Sequence, residues 1–176
     1  MPHGAFEEVV LPHLDAAFNY ARWLTKSDAD AEDVVQDATV RALRFFSSLR
    51  NDDARAWLLT IVRNTWYARF AKVGHADQHA VFDEMKDERP DERLNPEALA
   101  IQRQAVERVR RAIEELPADF REVIVLRELE GLSYKEIATV IAVPIGTVMS
   151  RLARGRERLL AILNPESTTG GADELS

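Results

Sequence analysis

Apolar residues recur every three or four positions through most of this chain, and this helical spacing restricts its fold more than any other feature. The first half contains three such stripes, within residues 14–24, 34–45 and 54–68. A fourth runs from Ile101 to Leu116 and follows Asn95 and Pro96, a pairing typical of a helix N-cap and first helical position. No convincing run alternates apolar and polar residues as a half-buried strand would. The spacing predicts an all-α protein.

The acidic residues are concentrated in two stretches. The net charge is −7, but residues 77–97 carry eight acidic against three basic side chains, and residues 165–176 carry three acidic and none basic. The remaining parts are close to neutral, so the overall charge does not exclude nucleic-acid binding. The first stretch lacks helical periodicity and contains Pro90 and Pro96, which favours a flexible tether. An acidic surface helix over 82–93 is the alternative.

This organisation predicts two small helical domains. The first spans residues 1–73 as a bundle of three to four helices, and the second spans 96–164 with four helices. A linker over 74–95 joins them, and a disordered tail follows over 165–176. Hydrophobic residues make up 46% of the chain, yet no apolar run approaches the roughly 20 residues of a spanning helix. Without a secretory signal or any cysteine, we expect a cytoplasmic protein with no membrane insertion.

The sharpest local pattern begins after Gly131. Ser133 and Glu136 have capping-box spacing, which predicts a helix that begins at Tyr134. Pro144 disfavours a helical residue before it, so this helix is expected to end near residue 142 and a second one to begin near Ile145. The second helix continues with apolar residues at four-, three- and four-residue spacing, namely Val148, Leu152, Gly155 and Leu159. Two helices joined by a short turn indicate a helix-turn-helix.

The outward face of the second helix suits a duplex groove. It carries small residues and arginine, in the set Gly146, Ser150, Ala153, Arg154 and Glu157. Small side chains permit close approach, and arginine can bind guanine or phosphate. The spacing alone leaves a second interpretation open, the solvated face of a protein-interaction helix.

Four segments resemble bacterial extracytoplasmic-function sigma factors. Residues 116–138 (LPADFREVIVLRELEGLSYKEIA) and 143–152 (VPIGTVMSRL) closely resemble the fourth domain of that family. Residues 30–38 (DAEDVVQDA) resemble the segment with which the second domain grips the clamp helices of RNA polymerase, and residues 56–65 (AWLLTIVRNT) resemble its promoter-melting helix. The resemblance covers roughly residues 6 to 163 in family order, so it implies sigma domain 2 followed by sigma domain 4.

The resemblance implies three sets of site residues. Those matching minus-35 positions, by base or phosphate contact, are Arg127, Lys135, Thr147, Ser150, Arg151, Ala153, Arg154 and Arg156. Those matching the minus-10 region are Leu49, near where the family often has phenylalanine, and Asn64, which would contact an unstacked base. Those matching the polymerase contact are Asp33, Val34, Gln36 and Asp37, for which an ordinary acidic helix face with Val34 in the core is the alternative.

Two residues depart from the pattern of the family's fourth domain. Met149 stands where many relatives have arginine or lysine, so one polar contact is missing and sequence preference would rely on apolar contact or groove shape. Gly155 stands in mid-helix where alanine is usual, at a cost of about 1 kcal/mol in helix propensity.

No catalytic site is predicted. His75 and His79 have metal-like spacing, but they lie beside the tether with only two further acids nearby, so a plain loop pair is favoured. The chain has no phosphate-binding glycine loop, nucleophile elbow or paired carboxylates in a predicted cleft. We therefore expect no enzyme activity, no cofactor and no metal.

The resemblance implies an alternative sigma factor that directs core RNA polymerase to specific promoters, through the clamp helices and the flap. It implies promoter DNA and an anti-sigma factor as further partners and a monomer in the free state. Two alternatives stay open at this point. One is a sigma-like decoy that binds an anti-sigma factor without promoter recognition, and the other is a dimeric repressor that uses the same helix-turn-helix.

Overall fold

The computed structural model describes residues 3–50, 53–70, 93 and 95–168. Within these residues all regular structure is helical, which confirms the all-α prediction. The α-helices are α1 (His3–Val10), α2 (Leu14–Thr25), α3 (Asp28–Arg44), α4 (Ala54–Phe70), α5 (Pro96–Glu114), α6 (Ala118–Ile124), α7 (Tyr134–Ile141) and α8 (Ile145–Leu163). Three 3₁₀ turns lie at Leu11–His13, Phe46–Ser48 and Pro165–Thr168, and a π-helical turn spans Val125–Leu129.

The chain forms two compact units. The first comprises Met1–Met85 with Val125–Ile145, and the second comprises Lys86–Ile124 with Gly146–Ser176. The predicted linker lies almost wholly outside the described residues, as do the alternative helix over 82–93, His75 and His79, and the tail beyond residue 168. The predicted domain boundaries therefore remain a prediction.

In the first unit, α2, α3 and α4 pack pairwise around one core. Tyr20, Leu58 and Leu59 are its largest fully buried side chains in these helices. On α3 the buried positions are mostly alanines, which lets neighbouring helices approach closely. Lys26 takes a left-handed conformation (φ 60°) that ends α2, and the Ser27 hydroxyl oxygen accepts a hydrogen bond from the Asp30 N–H (3.3 Å) to begin α3.

Helix α7 also belongs to the first unit and packs against α4. The guanidinium of Arg55 lies 3.5 Å from the carbonyl oxygen of Gly131, just before α7. Asp53 begins α4 by accepting a hydrogen bond from the Ala56 N–H (3.3 Å), and its carboxyl group faces that of Glu136. Burial and the negative charge of Glu136 raise the pKa of Asp53 above its usual value.

The second unit contains α5, α6 and α8. Asn95 begins α5 by accepting a hydrogen bond from the Ala98 N–H (2.8 Å), as predicted. Arg121 on α6 donates hydrogen bonds to the carbonyl oxygens of Glu114 (3.0 Å), the last residue of α5, and of Leu116 (2.8 Å), just beyond it. Arg121 therefore caps the carboxyl end of α5.

Only the last turns of α5 join the core. Ala112 and Ile113 are buried, whereas Ile101 is 62% and Val109 41% exposed. The apolar stripe predicted from Ile101 is therefore only partly a core face. Helix α5 has 19 residues and α6 only seven, so α6 can cover no more than one end of α5.

Within the described residues, no single helix has the length and apolar composition needed to cross a membrane; the bent pair α7 and α8 passes that test only when its two helices are counted together.

Candidate nucleic-acid interface

The predicted capping box at the start of α7 is present. The Ser133 hydroxyl oxygen accepts a hydrogen bond from the Glu136 N–H, and a Glu136 carboxylate oxygen accepts one from the Ser133 N–H, both at 3.1 Å. Burial acts to raise the pKa of Glu136, but these hydrogen bonds, together with Asp53 and the positive charge of Arg55, outweigh it and the pKa is lowered. The helix therefore begins at Tyr134, as predicted.

The turn between α7 and α8 is three residues long. Ala142 ends α7 in a left-handed conformation (φ 55°), and its N–H donates to the carbonyl oxygen of Ala138. Pro144 immediately precedes α8, which begins at Ile145. Both boundaries agree with the sequence prediction, so the short connection of a helix-turn-helix is confirmed.

Helix α8 separates its buried and exposed residues as predicted. Val148, Leu152 and Gly155 are buried in the second unit. The exposed face carries the predicted groove-facing residues together with Met149 at its edge: Gly146, Met149, Ser150, Ala153, Arg154 and Glu157. The Ser150 hydroxyl donates to the carbonyl oxygen of Thr147 (3.1 Å), so its exposed oxygen can still accept a hydrogen bond. This face can enter a major groove without a bulky obstacle.

Gly155 lies where α8 crosses α6. A Cβ atom at this position would lie 3.1 Å from Cγ1 of Ile124 and 3.4 Å from Cβ of Phe120. The glycine therefore permits a close helix approach that alanine would crowd. The same crossing is flanked by the Arg158 guanidinium, 5.2 Å from the centre of the Phe120 ring.

The basic residues predicted at the minus-35 element outside this exposed face differ in the contacts that they already make. The Arg127 guanidinium donates to the carbonyl oxygen of Leu132 (2.8 Å) and lies 4.9 Å from the centre of the Tyr134 ring, so it also braces the loop before α7. Arg151 lies 3.9 Å from the Asp119 carboxylate, a loose ion pair. Lys135 is exposed, and Arg156 is partly exposed.

The predicted polymerase-contacting residues lie on α3 in the first unit. Asp33, Gln36 and Asp37 are exposed, but Val34 is fully buried. Val34 thus packs in the core, as the alternative interpretation of this helix holds. The three polar residues form one outward acidic face.

That acidic face has a partner that the sequence did not indicate. Arg69 on α4 lies 2.7 Å from a carboxylate oxygen of Asp37 and 3.6 Å from one of Asp33. All three side chains are 40–55% exposed, so the pairing is a surface one. Arg69 and Asp37 are 32 positions apart, and no local spacing relates them.

The predicted minus-10 residues lie near α4. Asn64 is exposed on this helix, while Leu49 is half-buried in the extended segment before it. Next to Asn64, the Trp66 ring lies 4.6 Å from the Tyr67 ring in an edge-to-face contact. The Arg63 guanidinium lies 4.6 Å from the centre of the Tyr67 ring. Asn64 is therefore followed by aromatic surface of the kind on which an unstacked base can lie.

Comparisons with known proteins match both halves of the chain. The family described as "Sigma-70 region 2" matches residues 9–75, and "Sigma-70, region 4" matches residues 106–159. The ECF RNA polymerase sigma-E factor of Escherichia coli K12 is 39% identical over 137 residues, which are 74% of this chain and 72% of that protein. The chain belongs to the ECF group of the sigma-70 family. Sigma factors are transcription initiation factors without enzymatic activity.

A further relative and two solved structures extend the match. The ECF RNA polymerase sigma factor SigE of Mycolicibacterium smegmatis is 31% identical over 164 residues, which are 93% of this chain but only 63% of that protein's length. The sigma factor RpoE of Bartonella quintana, solved with the anti-sigma factor NepR, superposes with a TM-score of 0.70 at 31% identity, over 91% of this chain and 97% of that one. CnrH, solved with the cytosolic domain of CnrY, gives 0.65 at 28% identity, over 94% and 91%.

The described residues of this ECF sigma factor contain no group of three histidine, cysteine or acidic side chains that could hold a metal ion. The helical spacing predicted the exposed positions of α8, and Asn64 is exposed on α4. The sequence did not indicate the pairing of Arg69 with α3, the contact of Arg158 with Phe120 or the Asp53–Glu136 pair, because the fold alone brings these partners together. The Arg63–Tyr67 contact has helical i, i+4 spacing, which could have indicated it.

Proposed function

We propose that this chain is a dissociable promoter-specificity subunit of RNA polymerase. It binds the core enzyme through the acidic face of α3 and through domain 4, reads the minus-35 element with α8, and helps to open the minus-10 element with α4. The observation that carries the proposal is the exposed face of α8, where small residues surround Arg154 on a helix that follows a three-residue turn. Catalysis belongs to the polymerase.

The charges on the exposed faces support the assignment of α8 to DNA and of α3 to the polymerase. The reading face presents arginine to a polyanion, and the α3 face presents Asp33 and Asp37 to a protein partner. Arg69 pairs with both carboxylates at the protein surface, and exposed ion pairs contribute only about 0–1 kcal/mol to stability. A basic side chain of the polymerase can therefore replace Arg69 with little loss of free energy.

The partners follow from the same proposal. They are core RNA polymerase, promoter DNA and an anti-sigma factor, with a cytoplasmic monomer as the free form. The sigma factor RpoE of Bartonella quintana was solved in complex with the anti-sigma factor NepR, which supports the third partner.

Run-off transcription tests the proposal. Core polymerase is mixed with the chain and with genomic fragments, and promoter-dependent transcripts are expected only when the chain is present. Arg154→Glu should reduce promoter affinity by about 1–3 kcal/mol, or roughly 5- to 150-fold. Arg103→Glu on α5 makes the same charge change at another exposed position and should leave output near the wild-type level. Equal transcript levels with and without the chain would refute the proposal.

A further inference from the structure

Helix α8 carries an exposed apolar edge beside its polar reading face. Ile145 is 49% and Met149 52% exposed, and Ala153 is exposed one turn further along. These residues are spaced by four, so they form one column on the helix surface. The neighbouring column at the same spacing is Gly146, Ser150 and Arg154. The first two turns of α8 therefore offer an apolar strip next to a polar one.

The apolar strip is not part of the core. The second unit buries Val148, Leu152 and Gly155 of α8, which lie about a quarter-turn around the helix from the strip. About half of the Met149 surface stays in contact with water, although its side chain has no polar group that could benefit. The exposure of such a side chain in a groove-reading position points to an apolar group on the ligand.

Duplex DNA offers one prominent apolar group in the major groove, the C5 methyl of thymine. The N-terminal part of a recognition helix contacts base edges, and both Ile145 and Met149 lie in that part. Met149 cannot donate the two hydrogen bonds with which arginine recognises guanine. Its flexible thioether side chain can instead pack against a methyl group.

Building on the proposed function, we propose that Met149, flanked by Ile145, determines specificity by contacting the methyl group of a thymine in the upstream promoter element. Arg154 and Ser150 supply the polar contacts of the same element, and Met149 makes one position favour thymine.

The test uses holoenzyme formed from core polymerase and the full chain. A promoter fragment with a randomised upstream element is selected for binding, and each thymine of the selected element is then replaced singly by deoxyuridine, which lacks only the methyl group. Wild-type holoenzyme should lose about fourfold affinity at one position, the worth of one buried methyl group. Met149→Ala should bind less tightly and lose nothing further on that replacement. Met149→Arg should shift the preference at that position toward guanine.

Leu160→Ala is the matched control, because Leu160 is a comparably exposed apolar residue (59%) near the other end of α8. It should keep the full sensitivity to deoxyuridine. Selection of an element without thymine, or a methyl effect that survives in Met149→Ala, would overturn the inference while leaving the proposed function intact. A holoenzyme that selects no upstream element at all would overturn both.

Discussion

The close approach at Gly155 makes a quantitative prediction about alanine substitutions in α8. Gly155→Ala adds about 1 kcal/mol of helix propensity, but its Cβ would meet Cγ1 of Ile124 at 3.1 Å and two further carbon atoms at 3.4 Å. Overpacking of a buried contact costs about 1–3 kcal/mol. We therefore expect Gly155→Ala to lower the free energy of unfolding by about 1 kcal/mol.

Gly146→Ala is the internal control, because it makes the same chemical change in the same helix. No atom lies within 4 Å of the added Cβ there. This variant should raise the free energy of unfolding by about 0.5 kcal/mol, mainly by restricting the unfolded chain. The two variants should thus differ by about 1.5 kcal/mol.

Urea unfolding monitored by circular dichroism measures this difference. The midpoints should move in opposite directions at an unchanged dependence on urea, since neither change alters the surface exposed on unfolding by much. If Gly155→Ala stabilises the protein as much as Gly146→Ala, the argument for close packing between α8 and α6 is refuted. Gly155 would then do no more than lower the helix propensity of α8, as the sequence alone suggests.

Two further predictions concern the start of α4 and α7. Asp53→Asn keeps the acceptor for the Ala56 N–H but removes the charge facing Glu136, so it should raise the free energy of unfolding by up to about 0.5 kcal/mol at neutral pH, the scale of an exposed charge pair. Because folding raises the pKa of Asp53, its charge lowers the stability of the wild-type protein above the folded pKa, and this loss disappears below the unfolded pKa. In a series of urea midpoints at different pH, the two proteins should therefore become equally stable in acid. A constant difference between them would contradict this. Ser133→Ala should cost about 1 kcal/mol by removing the α7 cap, whereas exposed Ser47→Ala should cost almost nothing; thermal unfolding with equal losses for both would contradict the capping role.

Local signals predicted the helix boundaries well. The Ser133–Glu136 spacing and Pro144 place the start of α7 and the turn before α8 where the structure has them, because caps and proline act within one turn of the chain. The exposed face around Ser150 followed from the same periodicity.

The sequence was less informative wherever burial depends on distant partners. The stripe from Ile101 is amphipathic in the sequence but buries only its last turns, since α6 is too short to cover it. Gly155 looked like a weak helix position and proves to be a contact with Ile124. The Arg69–Asp37 pair joins two helices, and no spacing rule applies to residues brought together only by tertiary packing.

The most direct test of promoter recognition by α8 uses the absence of cysteine from this chain. Ser150→Cys introduces a single thiol on the exposed face, to which an iron chelate that cleaves DNA locally can be attached. In holoenzyme on a promoter, cleavage is expected at one site upstream of the melted region. The same probe at Leu160→Cys serves as the control and should cleave weakly there. Absence of upstream cleavage from position 150 in a transcriptionally active complex would contradict the account.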